Sequence, residues 1–412
     1  MLCQTASRCR KVALSTMNAE PNARRNIAVL TAAQALGGAS PPIVMSLGGL
    51  VGQQLSPDPA WLTFPVSLFG LGLAIGTLPA AFIMRRWGRR NGYVFGGLIG
   101  IVAGLIAAFG ISSRSFEIFC IGTFIAGFYS SYVQSYRFAA ADAVEGDWKA
   151  KAISWVMIGG LVGAVAGPQL VIWTRDAFSG APYVGSFLSQ ALLSVIAIPI
   201  LFMLRAPRTD TGGDPESGGR PLLQILLTPR YMLAVATGVV SYGVMAFVMT
   251  AAPVAMVDNG YSVDDAALGI QWHLLAMFAP SFFTGRLMAR FGMERVTAVG
   301  LVLLAASGVV ALGGLALSNF WISLVLLGIG WNFSFIGATA MVTDCHTPAE
   351  RGKAQGANDF MIFATTAAVS FFAGTILHSS GWMAINWLIF PVIAVSLIPL
   401  LLRQAGPTSA KG

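Results

Sequence analysis

The sequence predicts an all-α membrane protein, with twelve transmembrane helices forming two pseudo-symmetric six-helix bundles. Three observations carry this prediction: the composition, the recurrence of long apolar runs, and a repeat at a fixed offset. Of the 412 residues, 56% are hydrophobic and 10% charged, which is too little polar surface to cover a soluble globule of this size. Apolar runs recur along nearly the whole chain, each long enough to cross roughly 30 Å of hydrocarbon as a helix. Strand-type alternation is missing, which argues against a β-barrel. A net charge of +8 would fit a nucleic-acid partner only if Lys and Arg gathered on one soluble face. They sit instead in short links between apolar runs, so the expected partner is the lipid bilayer and not nucleic acid.

Reading apolar runs against basic and Pro/Gly breaks places the first six segments at 27–53, 60–84, 93–111, 116–138, 152–174 and 182–204. The second six fall at 230–257, 266–290, 295–317, 320–343, 355–377 and 382–402. Between them, 205–229 includes the stretch from Thr209 to Arg220, rich in Gly, Asp and Thr, and reads as a flexible cytoplasmic linker. Residues 1–26 and 403–412 are tails; the first is polar and basic without the apolar core of a secretory signal, and Met17 is an alternative start to Met1.

Basic residues orient the segments, because cytoplasmic loops retain Lys and Arg. With the N-terminus inside, 23 of the 25 fall on the cytoplasmic side, leaving Arg114 and Arg175 outside. Both termini are therefore expected in the cytoplasm, in a bacterial inner membrane. A duplication is also visible. Arg86-Trp87-Gly88 after segment 2 matches Arg290-Phe291-Gly292 after segment 8, and Lys149-Ala150 matches Lys353-Ala354, every pair separated by 204 residues. Two unrelated loops sharing one offset point to a duplicated six-helix unit.

The loop after segment 2 reads Ala81-Phe82-Ile83-Met84-Arg85-Arg86-Trp87-Gly88-Arg89-Arg90. It resembles the signature of the major facilitator superfamily, roughly Gly-x-x-x-Asp-Arg-x-Gly-Arg-Arg, and the resemblance spans residues 27–402. It implies secondary transport of a small solute by alternating access, with Arg85, Arg86, Gly88, Arg89, Arg90, Arg290 and Gly292 in the gating loops. Arg85 stands where the family has Asp, a residue that helps hold the cytoplasmic side shut against the start of helix 11. Asp359, in the first turns of segment 11, offers a reversed charge pair with Arg85. The alternative has Arg85 reaching lipid phosphate and Asp359 capping its own helix. Segment 4 has Thr123 where the family often has Arg, so that role does not transfer. Gly159, Gly163, Gly167 and Pro168 resemble the glycine–proline pattern of antiporters, without its closing glycine pair. These glycines, with Gly96, Gly100 and Gly104, are expected as packing seams.

Polar side chains in hydrocarbon are costly, which singles out those near segment midpoints. The substrate candidates are Tyr129, Ser130, Tyr132, Tyr242, Trp331, Asn332, Thr365 and Thr366. Tyr129 and Tyr132 share a helical face, where phenol rings could stack on a planar solute or pack between helices. Gln34 and the Gln271-Trp272-His273 stretch are secondary candidates. His273 and Asp359 are the candidate proton carriers. With no cation at the midplane, a neutral or weakly charged solute is expected, best a planar vitamin-like molecule such as riboflavin, imported with protons. Efflux of a drug or metabolite, and a non-transporting receptor of the same fold, are the alternatives. Cys3, Cys9, Cys120 and Cys345 lack metal-ligand spacing, and no nucleophile–base pair or phosphate loop is present. No enzymatic activity, metal or cofactor is expected, and the chain is expected to act as a monomer.

Overall fold

A computed structural model describes residues 21–144, 148–205, 219–347 and 350–405, and every regular element among them is helical. The first span is a broken pair, α1 (Pro21–Gly37) and α2 (Ser40–Leu55). α3 (Phe64–Ser112) runs for 49 residues. A straight helix of that length would measure roughly 74 Å at 1.5 Å per residue, more than twice the hydrocarbon thickness, so α3 makes two crossings and doubles back at Gly88. α4 (Phe116–Asp142), α5 (Trp148–Thr174) and α6 (Val184–Phe202) complete the first half.

A short helix, α7 (Leu222–Leu226), precedes the second half. α8 (Pro229–Asp258) is followed by α9 (Val263–Phe278) and α10 (Ser281–Phe291), which meet at 42° as one bent span. α11 (Met293–Leu312) and α12 (Leu317–Thr343) lead to α13 (Arg351–Ala405), whose 55 residues double back at Gly381. Among the described residues nine stretches are long and apolar enough to cross, ten with the bent pair, and α3 and α13 each supply two crossings. The twelve crossings coincide with the twelve apolar segments.

The duplication has a backbone counterpart. Gly88 has φ 79° and ψ 156°, and Gly292, its repeat partner, has φ 90° and ψ 146°. Both lie in a positive-φ extended region that a β-carbon disfavours. Nothing stands within 4 Å of a β-carbon built at either one, so dihedral angle and not crowding requires glycine there. Segments 2 and 3 were expected to end at 84 and restart at 93; the helix instead continues through Arg85–Trp87 and resumes at once past Gly88.

The glycine series act as seams. A β-carbon on Gly96 would lie 2.7 Å from the Tyr132 ring, on Gly100 2.6 Å from Ser194 Oγ, and on Gly104 2.7 Å from the Phe187 carbonyl. Gly163 and Gly167 set α5 against the break in the first span, 2.7 Å from the Gly38 backbone and 2.6 Å from Pro42. At the C-terminal end of 205–229, α7 is helical and Arg220 grips Glu350. The Arg220 backbone N–H and Nε each donate to Glu350 Oε1 at 2.8 Å, and the Thr347 N–H donates to Oε2 at 3.0 Å. Those donors hold the Glu350 carboxyl well below the usual carboxylate range. The tails 1–20 and 406–412, and linker residues 206–218, lie outside the described residues.

The two halves are pinned together at the face opposite the termini. Thr63 Oγ1 donates to the Ser370 carbonyl at 2.7 Å and accepts from the Gly374 N–H at 3.0 Å. Gln53 donates to Asp258 at 3.0 Å, Gln169 to Gln271 at 2.8 Å, and Arg175 pairs with Asp264 at 2.9 Å. At the face of the termini, by contrast, Arg89–Asp142, Arg230–Asp344 and Arg403–Glu294 each stay within one half.

Gly88→Ala and Gly292→Ala are each expected to destabilise the protein by about 1–3 kcal/mol through backbone strain, lowering the melting temperature in detergent. Gly285→Ala, on α10 with open space around its β-carbon position and an ordinary helical backbone, is the control and should leave melting unchanged or raise it. Equal melting of all three variants would contradict this account of the two loops.

Candidate functional site

Between the halves lies a cavity of about 990 Å³, measured to its open mouth. The first span contributes Gln34, Gly38, Pro41, Pro42 and Met45, which recur at helical spacing and so share one face. Phe69 and Leu73 from α3, Ser130, Val133 and Gln134 from α4, and Gly160 and Ala164 from α5 complete the first-half side of the wall, whose polar groups are Gln34, Ser130 and Gln134. The opposite wall is apolar: Met245, Met249, Leu274, Met277, Phe278 and Phe363 surround Tyr242. The lining contains no Lys, Arg, Asp, Glu or His.

Tyr242 is held by aromatic neighbours. Its ring centroid lies 5.6 Å from Trp331, 5.2 Å from Phe335 and 5.8 Å from Phe363, all edge-to-face, and Trp331 stacks on Phe335 at 4.8 Å. Such contacts fix ring orientation, and the soft thioethers of the surrounding methionines adapt to a flat solute. Ser130 donates to the Ala126 carbonyl at 3.0 Å and Thr366 to the Ile362 carbonyl at 2.8 Å, so each hydroxyl oxygen can still accept.

Of the eight substrate candidates, Ser130, Tyr242 and Thr366 reach the cavity wall. Tyr129 and Tyr132 do not. They are 1% and 0% exposed inside the first half, pressed against the seam of Gly100 and Gly96, because a ring fits where those residues have no β-carbon. Trp331 stands behind Tyr242 as a brace, and Thr365 packs 3.8 Å from the β-carbon position of Gly243. Asn332 is fully buried as a splint for the α9–α10 bend. Its Nδ2 donates to the Met277 carbonyl at 2.6 Å and to Ser281 Oγ at 2.7 Å, and its Oδ1 accepts from Thr284 at 2.6 Å. Pro280 has no N–H to continue the helix, so a polar side chain must serve the bend.

The charged candidates also move. His273 is fully buried with Nδ1 2.8 Å from the Leu324 carbonyl, a packing position behind the cavity wall. Arg85 and Arg86 are exposed, Arg89 pairs with Asp142, Arg90 lies over the Phe202 ring at 5.8 Å and Arg290 over Phe291 at 5.3 Å. The expected Arg85–Asp359 pair is not formed. Asp359 accepts from Asn358 at 3.0 Å, and the cation whose field reaches it is Arg137, from the other half. Arg137 follows Ser130 and Gln134 on one face of α4, while Asp359 precedes Phe363 and Thr366 on one face of α13, so each lies on the helix face that carries cavity residues. The sequence reading left out Gln134, Phe69, Phe278, Phe363 and the four methionines. The signal that could have found part of this set is the Gly37-Gly38-x-x-Pro41-Pro42 break, since irregular backbone at membrane depth is tolerated where it lines a cavity.

Comparison with known proteins agrees with this architecture. The family model of the Major Facilitator Superfamily matches residues 27–270 and 233–412. The riboflavin transporter RfnT of Brucella anthropi is 68% identical over 384 residues, covering 92% of this chain and 96% of the relative. The uncharacterized MFS-type transporter YdeG of Bacillus subtilis is 30% identical over 398 residues, covering 93% and 92%. A crystal structure of the nucleoside transporter NupG superposes with a TM-score of 0.66 at 13% identity, covering 92% of this chain and 98% of that one. On the family match and the two relatives, spread over the whole duplicated architecture, the chain belongs to the major facilitator superfamily.

Proposed function

We propose that this transporter imports riboflavin across a bacterial inner membrane by alternating access, coupled to the proton gradient and acting as a monomer. The carrying observation is the 68% identity to the riboflavin transporter of Brucella anthropi over 92% of the chain. The cavity supports it chemically: an uncharged, methionine- and aromatic-lined space suits a flat neutral ring system and offers no counter-charge to a phosphate.

The mechanism follows from where the halves touch. With the basic loops on the cytoplasmic side, contacts of Thr63, Gln53, Gln169 and Arg175 with the second half seal the periplasmic face, so this conformation faces inward. Transport requires those contacts to open while the cytoplasmic face closes. Arg137 and Asp359 then come together as the inner gate, a charge pair between the halves that replaces the expected Arg85 latch. Asp359 is also the carboxylate best placed to carry the coupled proton, lying on the same face as the cavity residues of α13.

Cells expressing the protein should accumulate labelled riboflavin, accumulation should fall with a protonophore, and Tyr242→Ala should reduce it at least tenfold while leaving surface expression intact. Faster loss of label in place of accumulation would establish export, and no difference from empty cells would overturn the reading.

Gly70 of α3 and Ala367 of α13 face each other across the halves, with β-carbons 3.7 Å apart when one is built on the glycine, a spacing suited to a disulfide. In a chain with its four native cysteines replaced by serine, Gly70→Cys with Ala367→Cys should transport when reduced and stop when oxidised. Unchanged uptake after complete oxidation would show that these halves need not part. For the inner gate, Arg137→Asp and Asp359→Arg should each abolish uptake and together restore part of it; a double variant as inactive as the singles would remove the pair from the mechanism.

A further inference from the structure

The break in the first span carries more polarity than helix geometry needs. Pro41 and Pro42 have no N–H, so the carbonyls of Gly37 and Gly38, four residues earlier, lack their helical donors. Gly38 itself forms part of the cavity wall, and Gln34, one turn before it, lies beside it. The Gln34 amide nitrogen is 3.3 Å from the β-carbon position of Gly38 and 3.6 Å from that of Gly160, so two glycines make the slot in which the carboxamide lies. Gln134, also on the wall, supplies a second carboxamide from α4. No hydrogen bond to a described residue engages either one. The lining from the second half is otherwise apolar, chiefly ring and thioether, apart from the Tyr242 and Thr366 hydroxyls.

This division assigns a binding polarity. We propose that Gln34, at the proline-induced break of the first span, reads a cis-imide edge of the solute, while the second half holds the ring. A carboxamide matches such an edge: its Oε1 accepts from the imide N–H, and its Nε2 donates to the neighbouring carbonyl. Gln134 donates to the second carbonyl, and an edge without the N–H would leave Gln34 Oε1 unpaired, which penalises such a solute. The ring then packs between Tyr242, Phe278 and Phe363 and the methionines. Specificity for the polar edge thus resides in the first half, and affinity for the flat body in the second.

The proposal rests on the riboflavin reading and is tested with two probes, riboflavin and its N3-methyl derivative, which lacks the imide N–H but keeps the ring and side chain. Binding to the purified full-length protein is followed by quenching of flavin fluorescence. The native protein should prefer riboflavin by about tenfold or more. Gln34→Ala, and Gln34→Met as a variant of similar volume, should weaken riboflavin binding and leave the methylated compound nearly unaffected, bringing the ratio close to one. A packing role for Gln34 would weaken both compounds together and preserve the ratio; that result, or equal binding of both by the native protein, overturns the proposal alone. Failure of the native protein to bind either compound would overturn the riboflavin reading and this proposal with it.

Discussion

Hydrocarbon offers the backbone no hydrogen-bonding partner, and the rest of this structure depends on how the chain meets that constraint. Each crossing is helical, and where a helix is interrupted a specific device replaces the lost bonds or a cavity removes the need. At the α9–α10 bend the device is Asn332, buried and fully bonded to the Met277 carbonyl, Ser281 and Thr284. At the break of the first span no equivalent splint is bonded to the Gly38 carbonyl, and Gly38 forms part of the cavity wall. The two interruptions therefore differ: one is splinted by a side chain within the second half, and the other sits against α5 and the cavity wall.

The same economy governs packing between helices. Lipid tails are as apolar as leucine, so association depends on close approach, and glycine permits it. The seam on the third span receives Tyr129 and Tyr132, and the seam on α5 receives the broken first span. Among the described residues the mutual contacts of the two halves add hydrogen bonds, one ion pair and the Phe371 ring against Trp61 and Phe64, clustered at the face opposite the termini. Contacts of that sort can be exchanged for others at modest cost, as alternating exposure of a central site requires.

The site combines two chemistries that a flat heteroaromatic solute presents together. One wall is chiefly thioether and ring, the other carries two carboxamides and a hydroxyl, and no charged side chain lines the cavity. Placing the charges outside the binding cavity leaves it hospitable to a neutral molecule.

Local and periodic properties were legible in the sequence. The apolar runs located all twelve crossings because hydrophobic length is a property of contiguous residues. The 204-residue offset exposed the duplication, and the paired positive-φ glycines at Gly88 and Gly292 show why those loop residues repeat. Other features were decided only by tertiary structure. Span 4 offers Tyr129 and Tyr132 on one face and Ser130, Gln134 and Arg137 on another, and both faces look equally functional from spacing alone. The β-carbon-free surface of Gly96 and Gly100, on another span, draws the tyrosines into the interior, and Ser130 and Gln134 are left on the cavity wall. Likewise Asn332 reads as midplane polarity and His273 as a proton carrier until a bent helix and a carbonyl from a neighbouring helix claim them. A helix's periodicity determines which residues share a face, but the neighbour that packs against it determines which face looks inward.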